Sequence, residues 1–336
     1  MKRHTSIVLL LALAACGAAP DAAPSASEQA ATSTSVAVAP TTVPRRYVDE
    51  RGVSVQVEST ERIIPLDGDV AEIVFALGLG EFVVATDLSA TFPGAADALP
   101  QIGYQRALNA EPILEFAPTL VIGTDLAGPP GVIEELERVG VPVVIVPTPE
   151  DATGPATKIR AIAEVLGVPE RGEQLVAVVE RDVGAVDPLP PIAATGHPLR
   201  VAMLYLRGSS TQLIFGDDTS IDWLIEATGA VNVGAEMGIV GNADITAEAL
   251  ILAAPDVLLV TEDGLASVGG IDGLLAMPSL AGTPAAANRA VLSYDAQLML
   301  GNGPRTGEFL ADLVADLGDL ITRLAAPPAD PDKETP

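Results

Sequence analysis

The sequence predicts an α/β protein of two Rossmann-like lobes, each with a mainly parallel sheet, joined by a long inter-lobe helix. Three observations carry this. Short apolar runs alternate with helical periods along most of the chain, the pattern of parallel sheets covered on both faces. One helix-then-strand unit occurs twice. Ala110-Glu111, then Ala117-Pro118 and an apolar run ending at Thr124, returns as Ala247-Glu248, then Ala254-Pro255 and an apolar run ending at Thr261, at a constant offset of 137 residues. A single repeat at that spacing indicates two related lobes, not a solenoid. Between the copies, residues 155–186 carry the helical stripe Ile159, Ile162, Ala163, Leu166, Leu175, Val178 and Val179.

In order along the chain, Lys2-Arg3 and the apolar run Ile7 to Ala15 form the n- and h-regions of a leader too short to span a bilayer. Leu13-Ala14-Ala15-Cys16-Gly17 reads as a bacterial lipobox. Residues 1–15 are therefore expected to be a lipoprotein signal peptide, with Cys16 acylated and holding the mature chain at the extracytoplasmic face of the cell membrane. Cys16 is the sole cysteine, so no intrachain disulfide forms. Residues 16–46, rich in Ala, Ser, Thr and Pro, lack apolar periodicity and read as a disordered tether.

The N-terminal lobe is expected over 47–154. Val53, Val55 and Val57 alternate as in a strand. Arg62 to Leu66 is a strand, Asp69 caps a helix over Val70 to Leu77 that Gly78 ends, and Phe82 to Ala85 is a strand. Asn109 caps a helix from Ala110 to Phe116, Leu120 to Gly123 is a strand, Val132 to Val139 a helix and Val141 to Val146 a strand. The linking helix over 155–186 has one weak point, Gly167 to Pro169, where it would break in two. In the C-terminal lobe, 187–325, Arg200 to Tyr205 is a strand, Ile221 to Ala227 a helix, Val291 to Tyr294 a strand and Thr306 to Leu324 the closing helix. Residues 326–336 are a frayed tail.

Composition narrows the function. Of 336 residues, 49% are hydrophobic, enough for two cores, while aromatics are only 3%, so each tyrosine is informative. A net charge of −27 argues against nucleic acid and against a basic membrane-binding face. An anionic ligand would need locally placed arginines. Only His4 and His197 are present, and His4 leaves with the leader. No dinucleotide fingerprint, P-loop or nucleophile elbow occurs, so an enzyme has little support.

The sharper signal is Tyr-x-Arg, found as Tyr104-Gln105-Arg106 and as Tyr205-Leu206-Arg207. Both fall at loop or strand ends that face the crevice of an open α/β sheet. Residue i+2 on an extended chain points to the same side as residue i. The arginine can therefore support the phenolate of a tyrosine whose ordinary pKa is about 10. Tyrosinate is a hard donor suited to ferric haem. The competing reading is a tyrosine packed at a sheet edge with an arginine beside it for solubility.

Gly103-Tyr104-Gln105-Arg106, Tyr205-Leu206-Arg207-Gly208, Ala227-Thr228-Gly229-Ala230-Val231-Asn232, Gly264 to Gly270 and Gly303-Pro304-Arg305-Thr306 together resemble the haemin-binding lipoproteins of bacterial ABC importers. The resemblance spans roughly residues 60 to 325. It implies haem in an inter-lobe cleft, with iron ligated at Tyr104 and, in some members, also at Tyr205, supported by Arg207. Arg106 and Arg305 would then answer phenolates or propionates. It also implies that Glu72 and Glu226, one per lobe, dock onto arginines of the permease. A further tyrosine that some members carry near Gly241-Asn242 is lacking here. Glu111 and Glu248 read as first-turn helix acids. Met237 and Met299 are pocket lining or soft filler, and Trp223 is core. The expected protein is a haem-binding, non-enzymatic, monomeric component of an importer. The alternatives are a carrier of ferric siderophore or cobalamin, and a surface enzyme on the same scaffold.

Overall fold

The computed structural model describes residues 44–190, 196–208 and 210–325, which lie within one compact unit. The expected signal peptide, Cys16, nearly all of the tether and the 326–336 tail lie outside the described residues.

The N-terminal lobe opens with an antiparallel hairpin of β1 (Arg45–Val48) and β2 (Ser54–Val57). Then follow β3 (Ile63–Pro65), α1 (Gly68–Ala76), α2 (Gly94–Asp97), α3 (Ala110–Leu114), β4 (Leu120–Gly123), α4 (Pro130–Arg138) and β5 (Val143–Ile145). The strands β3-β4-β5 form a parallel sheet. Their side chains alternate between two cores. Ile63, Leu120, Ile122 and Val144 join Val70, Ile73 and Val74 of α1, while Ile64, Val121, Val143 and Ile145 join Ile113, Ile133 and Leu136 of α3 and α4. Each fully buried aliphatic side chain of this kind contributes about 1.5–3 kcal/mol.

Two local expectations are corrected. The strand over Phe82–Ala85 is a 3-10 turn at Gly80–Phe82 and one parallel bridge, Val83 to Ile63. The chain leaves the sheet edge there because Thr86 pairs instead with the segment around Gln101. Asp69 is not the cap of α1. Asp67 holds that position, but its carboxylate accepts the Thr124 hydroxyl, and Asp69 sits in the first turn against Lys158.

The linking span is two helices, not one: α5 (Gly154–Leu166) and α6 (Pro169–Gly184). Gly167, at φ 75°, ends α5 in the left-handed region that glycine adopts at no steric cost, and Pro169 opens α6 at its first turn. Both helices contribute to the N-terminal core through Ile159, Ile162, Val176 and Val179.

The C-terminal lobe contains β6 (Arg200–Arg207), β7 (Thr211–Phe215), α7 (Ser220–Ala227), β8 (Val231–Asn232), α8 (Val233–Glu236), β9 (Asn242–Asp244), α9 (Ala247–Ala253) and β10 (Val257–Thr261). It continues through α10 (Glu262–Ser267), α11 (Gly270–Leu275), α12 (Pro284–Ala287), β11 (Val291–Tyr294), α13 (Ala296–Leu300) and α14 (Thr306–Ala325). Sheet order is β11-β10-β6-β7-β9, with β8 beside β6. The strands β11, β10, β6 and β8 are parallel, and β7 and β9 extend the sheet antiparallel. Helix α14 returns against α6. A Cβ at Gly307 would fall 2.6 Å from the Asp182 Cβ, so only glycine permits this approach of the two helices.

The internal repeat proves to be structural. Its two copies are α3–β4 and α9–β10, and β4 and β10 are each flanked by two parallel neighbours. Even the backbone repeats: Ala117 at φ 44° and Ala254 at φ 49° turn both copies from helix to strand in the left-handed region. The following proline cannot continue a helix.

Candidate functional site: a tyrosine pair between the lobes

Tyr104 stands on a tight loop of the N-terminal lobe. Gly103, at φ 110°, reverses the chain before it, and a 3-10 turn, Gln105–Ala107, follows. The loop is pinned on both sides. Leu88 N–H donates to Gly103 O at 2.9 Å, Gly128 N–H to Gln105 O at 2.8 Å, and Leu108 N–H to Gly128 O at 2.9 Å. Beneath it Asp87, wholly buried, accepts the Ser89 N–H and hydroxyl, each at 2.9 Å, and the Gln105 N–H. Burial pushes the Asp87 carboxyl up to about 6 against these donors. Tyr104 is 37% exposed.

Tyr205 lies near the carboxyl end of β6, where it pairs with Leu213 of β7. Strand alternation sends Leu204 and Leu206 into the core on one face and leaves Tyr205 and Arg207 together on the other. The Tyr205 ring tilts against Phe215, with centroids 6.1 Å apart, and the Arg207 guanidinium carbon lies 4.5 Å from the Tyr205 centroid. Arg207 also donates from Nη1 to Leu206 O at 3.0 Å.

These two motifs converge. Burial raises the Tyr205 phenol above its ordinary value first, and the Tyr104 hydroxyl, a hydrogen-bonding neighbour from the other lobe, raises it further. Arg207 and Arg106 pull it the opposite way. Two phenols and two guanidiniums, separated by about a hundred residues of sequence, thus form one site. A hard metal centre entering here meets anionic oxygen donors, and the arginines compensate the phenolate charge.

Other candidates fall elsewhere. Arg305 does not join the tyrosine pair: its guanidinium is taken up by Glu72 and stacks 3.8 Å over the Phe92 ring. With Glu72, Phe75, Phe92, Pro93 and Pro304 it lines a separate surface cavity of about 450 Å³. Glu72 is only 4% exposed and is held by Arg305, so the expected docking carboxylate is not presented on an open helix face. Burial pushes its carboxyl up while Arg305 and the Gln297 amide pull it down. Glu226 is exposed on α7, as Glu111 and Glu248 are on α3 and α9. Met299 is fully buried in the core of the C-terminal lobe and Met237 packs against its second core, so both are filler. Trp223 packs on the same core as Met299. His197 precedes the amino end of β6, about 25 Å of strand away from Tyr205 and Arg207. Among the described residues no group of three or more His, Cys, Asp or Glu is placed to hold a metal. Gln297, whose partners lie more than two hundred residues away, and Asp87, which braces the Tyr104 loop through Ser89 and Gln105, belong to no motif in the sequence.

The structure is similar to the apo form of the periplasmic heme-binding protein RhuT from Roseiflexus sp. RS-1, with a TM-score of 0.73, 45% identity, and coverage of 78% of this chain and 100% of that one. It is also similar to the heme-binding protein HmuT, with a TM-score of 0.75, 38% identity, and coverage of 82% and 90%. Solved variants of HmuT replace a histidine, a tyrosine and an arginine two positions after that tyrosine. An ABC transporter substrate-binding lipoprotein of Bacillus subtilis (strain 168), YvrC, is 25% identical over 94% of this chain and 98% of its own length. The vitamin B12-binding protein of Vibrio vulnificus (strain CMCP6) is 33% identical over 88 residues, 26% of this chain and 32% of that protein. The family model for periplasmic binding proteins matches residues 63–298, and this chain belongs to that family.

Proposed function

We propose that the protein captures ferric haem between its lobes, outside the cytoplasm, and delivers it to an ABC permease. The observation that carries this is the meeting of Tyr104 and Tyr205, each with an arginine two residues on, from opposite lobes. Ferric haem takes an anionic tyrosinate readily, and Arg106 and Arg207 offset the charge so formed. Tyr104, on an exposed turn, is the side chain able to swing aside as the macrocycle enters. Tyr205 is held by its strand and by Phe215. The similarity to the heme-binding proteins RhuT and HmuT supports the reading, as does the tyrosine–arginine spacing of the HmuT variants, which is that of Tyr205 and Arg207.

The lipobox at Cys16 and the lipoprotein name of the Bacillus relative support a lipid anchor at the outer face of the cell membrane. No helix among the described residues is long and apolar enough to cross a membrane. For the permease contact, Glu72 would have to break its fork with Arg305, whereas Glu226 is free to reach a partner. We assign the paired contact to Glu111 and Glu248, exposed carboxylates that the repeat sets in equivalent first turns of the two lobes.

The test is the visible spectrum of the purified protein with added ferric haem. A tyrosinate-to-iron charge-transfer band is expected, altered in Tyr104→Ala and in Tyr205→Ala. A band indifferent to both substitutions refutes the assignment. The match to vitamin B12-binding proteins motivates one competing arm. A cobalamin carrier needs no protein ligand to its metal, so cobalamin would bind wild type and both tyrosine variants alike.

A further inference from the structure

Gln297, in the first turn of α13, is buried, and its amide is satisfied by the other lobe. Nε2 donates to Gly68 O at 2.8 Å, Phe92 O at 2.9 Å and Glu72 Oε2 at 3.0 Å. Oε1 accepts the Phe92 N–H at 2.9 Å and the Thr91 hydroxyl at 3.1 Å. Acceptors surround the nitrogen and donors surround the oxygen, so the network admits only this orientation of the amide. Around it, the segment from Asp295 to Arg305 makes further contacts with the N-terminal lobe and α5. The Thr91 hydroxyl shares its one proton between Gln297 and Asp295, each at 3.1 Å, Arg305 forks Glu72, and Lys158 donates to Gly301 O at 2.9 Å.

This clasp leads to both tyrosines. Thr91 and Phe92 continue the turn in which Ser89 accepts the Gly68 N–H at 2.8 Å and bonds Asp87, which in turn accepts the Gln105 N–H beside Tyr104. On the other side, Leu298, Met299 and Leu300 of α13 share the core on which Tyr205 packs. One amide therefore stands between the turn that braces the loop of one phenol and the core that supports the other. A buried polar group with every partner in place fixes geometry more sharply than apolar contact, because any displacement strands several donors and acceptors at once.

We propose that Gln297 is a positioning residue that sets the spacing of the lobes and, through the 87–92 turn, the approach of Tyr104 to Tyr205. Its consequence for haem rests on the proposed function; the spacing itself does not.

The experiment uses the full chain with Cys16→Ser and spin labels at Glu115→Cys and Asp263→Cys, exposed positions on α3's C-terminal end and on α10. Without any ligand, the parent should give one narrow distance distribution, and Gln297→Ala a longer mean and a broader one. An unchanged distribution overturns the proposal. With haem, Gln297→Ala should lose affinity by about 10–100-fold, the range seen when groups supporting a metal ligand are removed. In that background Tyr205→Phe should alter the charge-transfer band much less than it does in the parent. Additive effects of the two substitutions overturn the positioning role. Circular dichroism establishes that each variant folds. Should Gln297→Ala not fold, Gln297→Asn, which keeps the amide one methylene short, takes its place with the same readings. A parent that binds no haem refutes the haem reading and with it the role in ligation, while the label distances still decide the clasp.

Discussion

Arg305 holds Glu72 in a two-point fork, Nε to Oε1 and Nη2 to Oε2, each at 3.0 Å, with the guanidinium laid over the Phe92 ring. The two residues are 233 positions apart, and the contact joins α1 to the loop before α14. A carboxylate this deeply buried is tolerable only while it is paired. Arg305→Met alone should therefore destabilise the protein by about 3 kcal/mol, because it strands the Glu72 charge. Adding Glu72→Leu removes that charge and should recover most of the loss. Urea unfolding of the two single variants and the double variant checks both statements. Equal destabilisation by the single and double variants would show that the pair matters only through packing.

The fork also marks the limit of what the sequence disclosed. The lobes were legible because the repeat is local: α3–β4 and α9–β10 each fit within about fifteen residues and share even their left-handed alanine. The tyrosine–arginine pairs were legible because strand geometry alone puts residues i and i+2 on one side. Glu72, Arg305 and Gln297 were misread or missed because their environment is set by partners more than two hundred residues away. The helix break at Gly167 was visible as a choice. What decided it was Gly167 adopting φ 75°, together with the packing of α6 back against α5.

Asp87 gives a pH prediction with a definite sign. Its carboxyl titrates at about 6 in the folded protein, against 3.8 as its ordinary value. A carboxyl raised in this way contributes stability that is fully present below 3.8 and is lost as pH rises through about 6. On this group alone the protein should gain roughly 1 kcal/mol between pH 7 and pH 5. Asp87→Asn should flatten that part of the profile. Denaturant unfolding at the two pH values, in wild type and variant, measures the difference. A variant with the same slope as wild type would remove Asp87 from the account.

The tyrosine pair makes a second titration visible. Burial and Tyr104 raise the Tyr205 phenol, and Arg207 and Arg106 lower it. Tyr104→Phe should therefore bring Tyr205 ionisation to lower pH, and Arg207→Ala should send it higher. The stability linked to the raised phenol is present below pH 10 and lost above the folded-state value, so Tyr104→Phe should also soften alkaline unfolding. Ultraviolet difference titration of the ligand-free protein follows the phenolate. An Arg207→Ala titration that moves downward would show that the guanidinium does not favour the phenolate.

If Glu111 and Glu248 make the proposed permease contact, reversing their charge should separate binding from delivery. Both are exposed acids in the first turn of a helix, a position the helix dipole favours by a few tenths of a kcal/mol, so neither is needed for folding. They sit one on each lobe in equivalent places, whereas Glu72 lies beneath Arg305. Glu111→Arg and Glu248→Arg should each reduce haem uptake through the importer, and the double variant should abolish it. The haem spectrum and affinity of the isolated protein should be unchanged, because neither residue belongs to the tyrosine site. Glu226→Arg should have a smaller effect, since the glutamate expected to pair with it from the other lobe, Glu72, is buried against Arg305. Uptake measured in cells or proteoliposomes, beside haem titration of the same variants, decides it. If Glu226→Arg alone abolishes transport while the Glu111 and Glu248 reversals are silent, the permease engages the C-terminal lobe through α7, and the repeat has no part in docking.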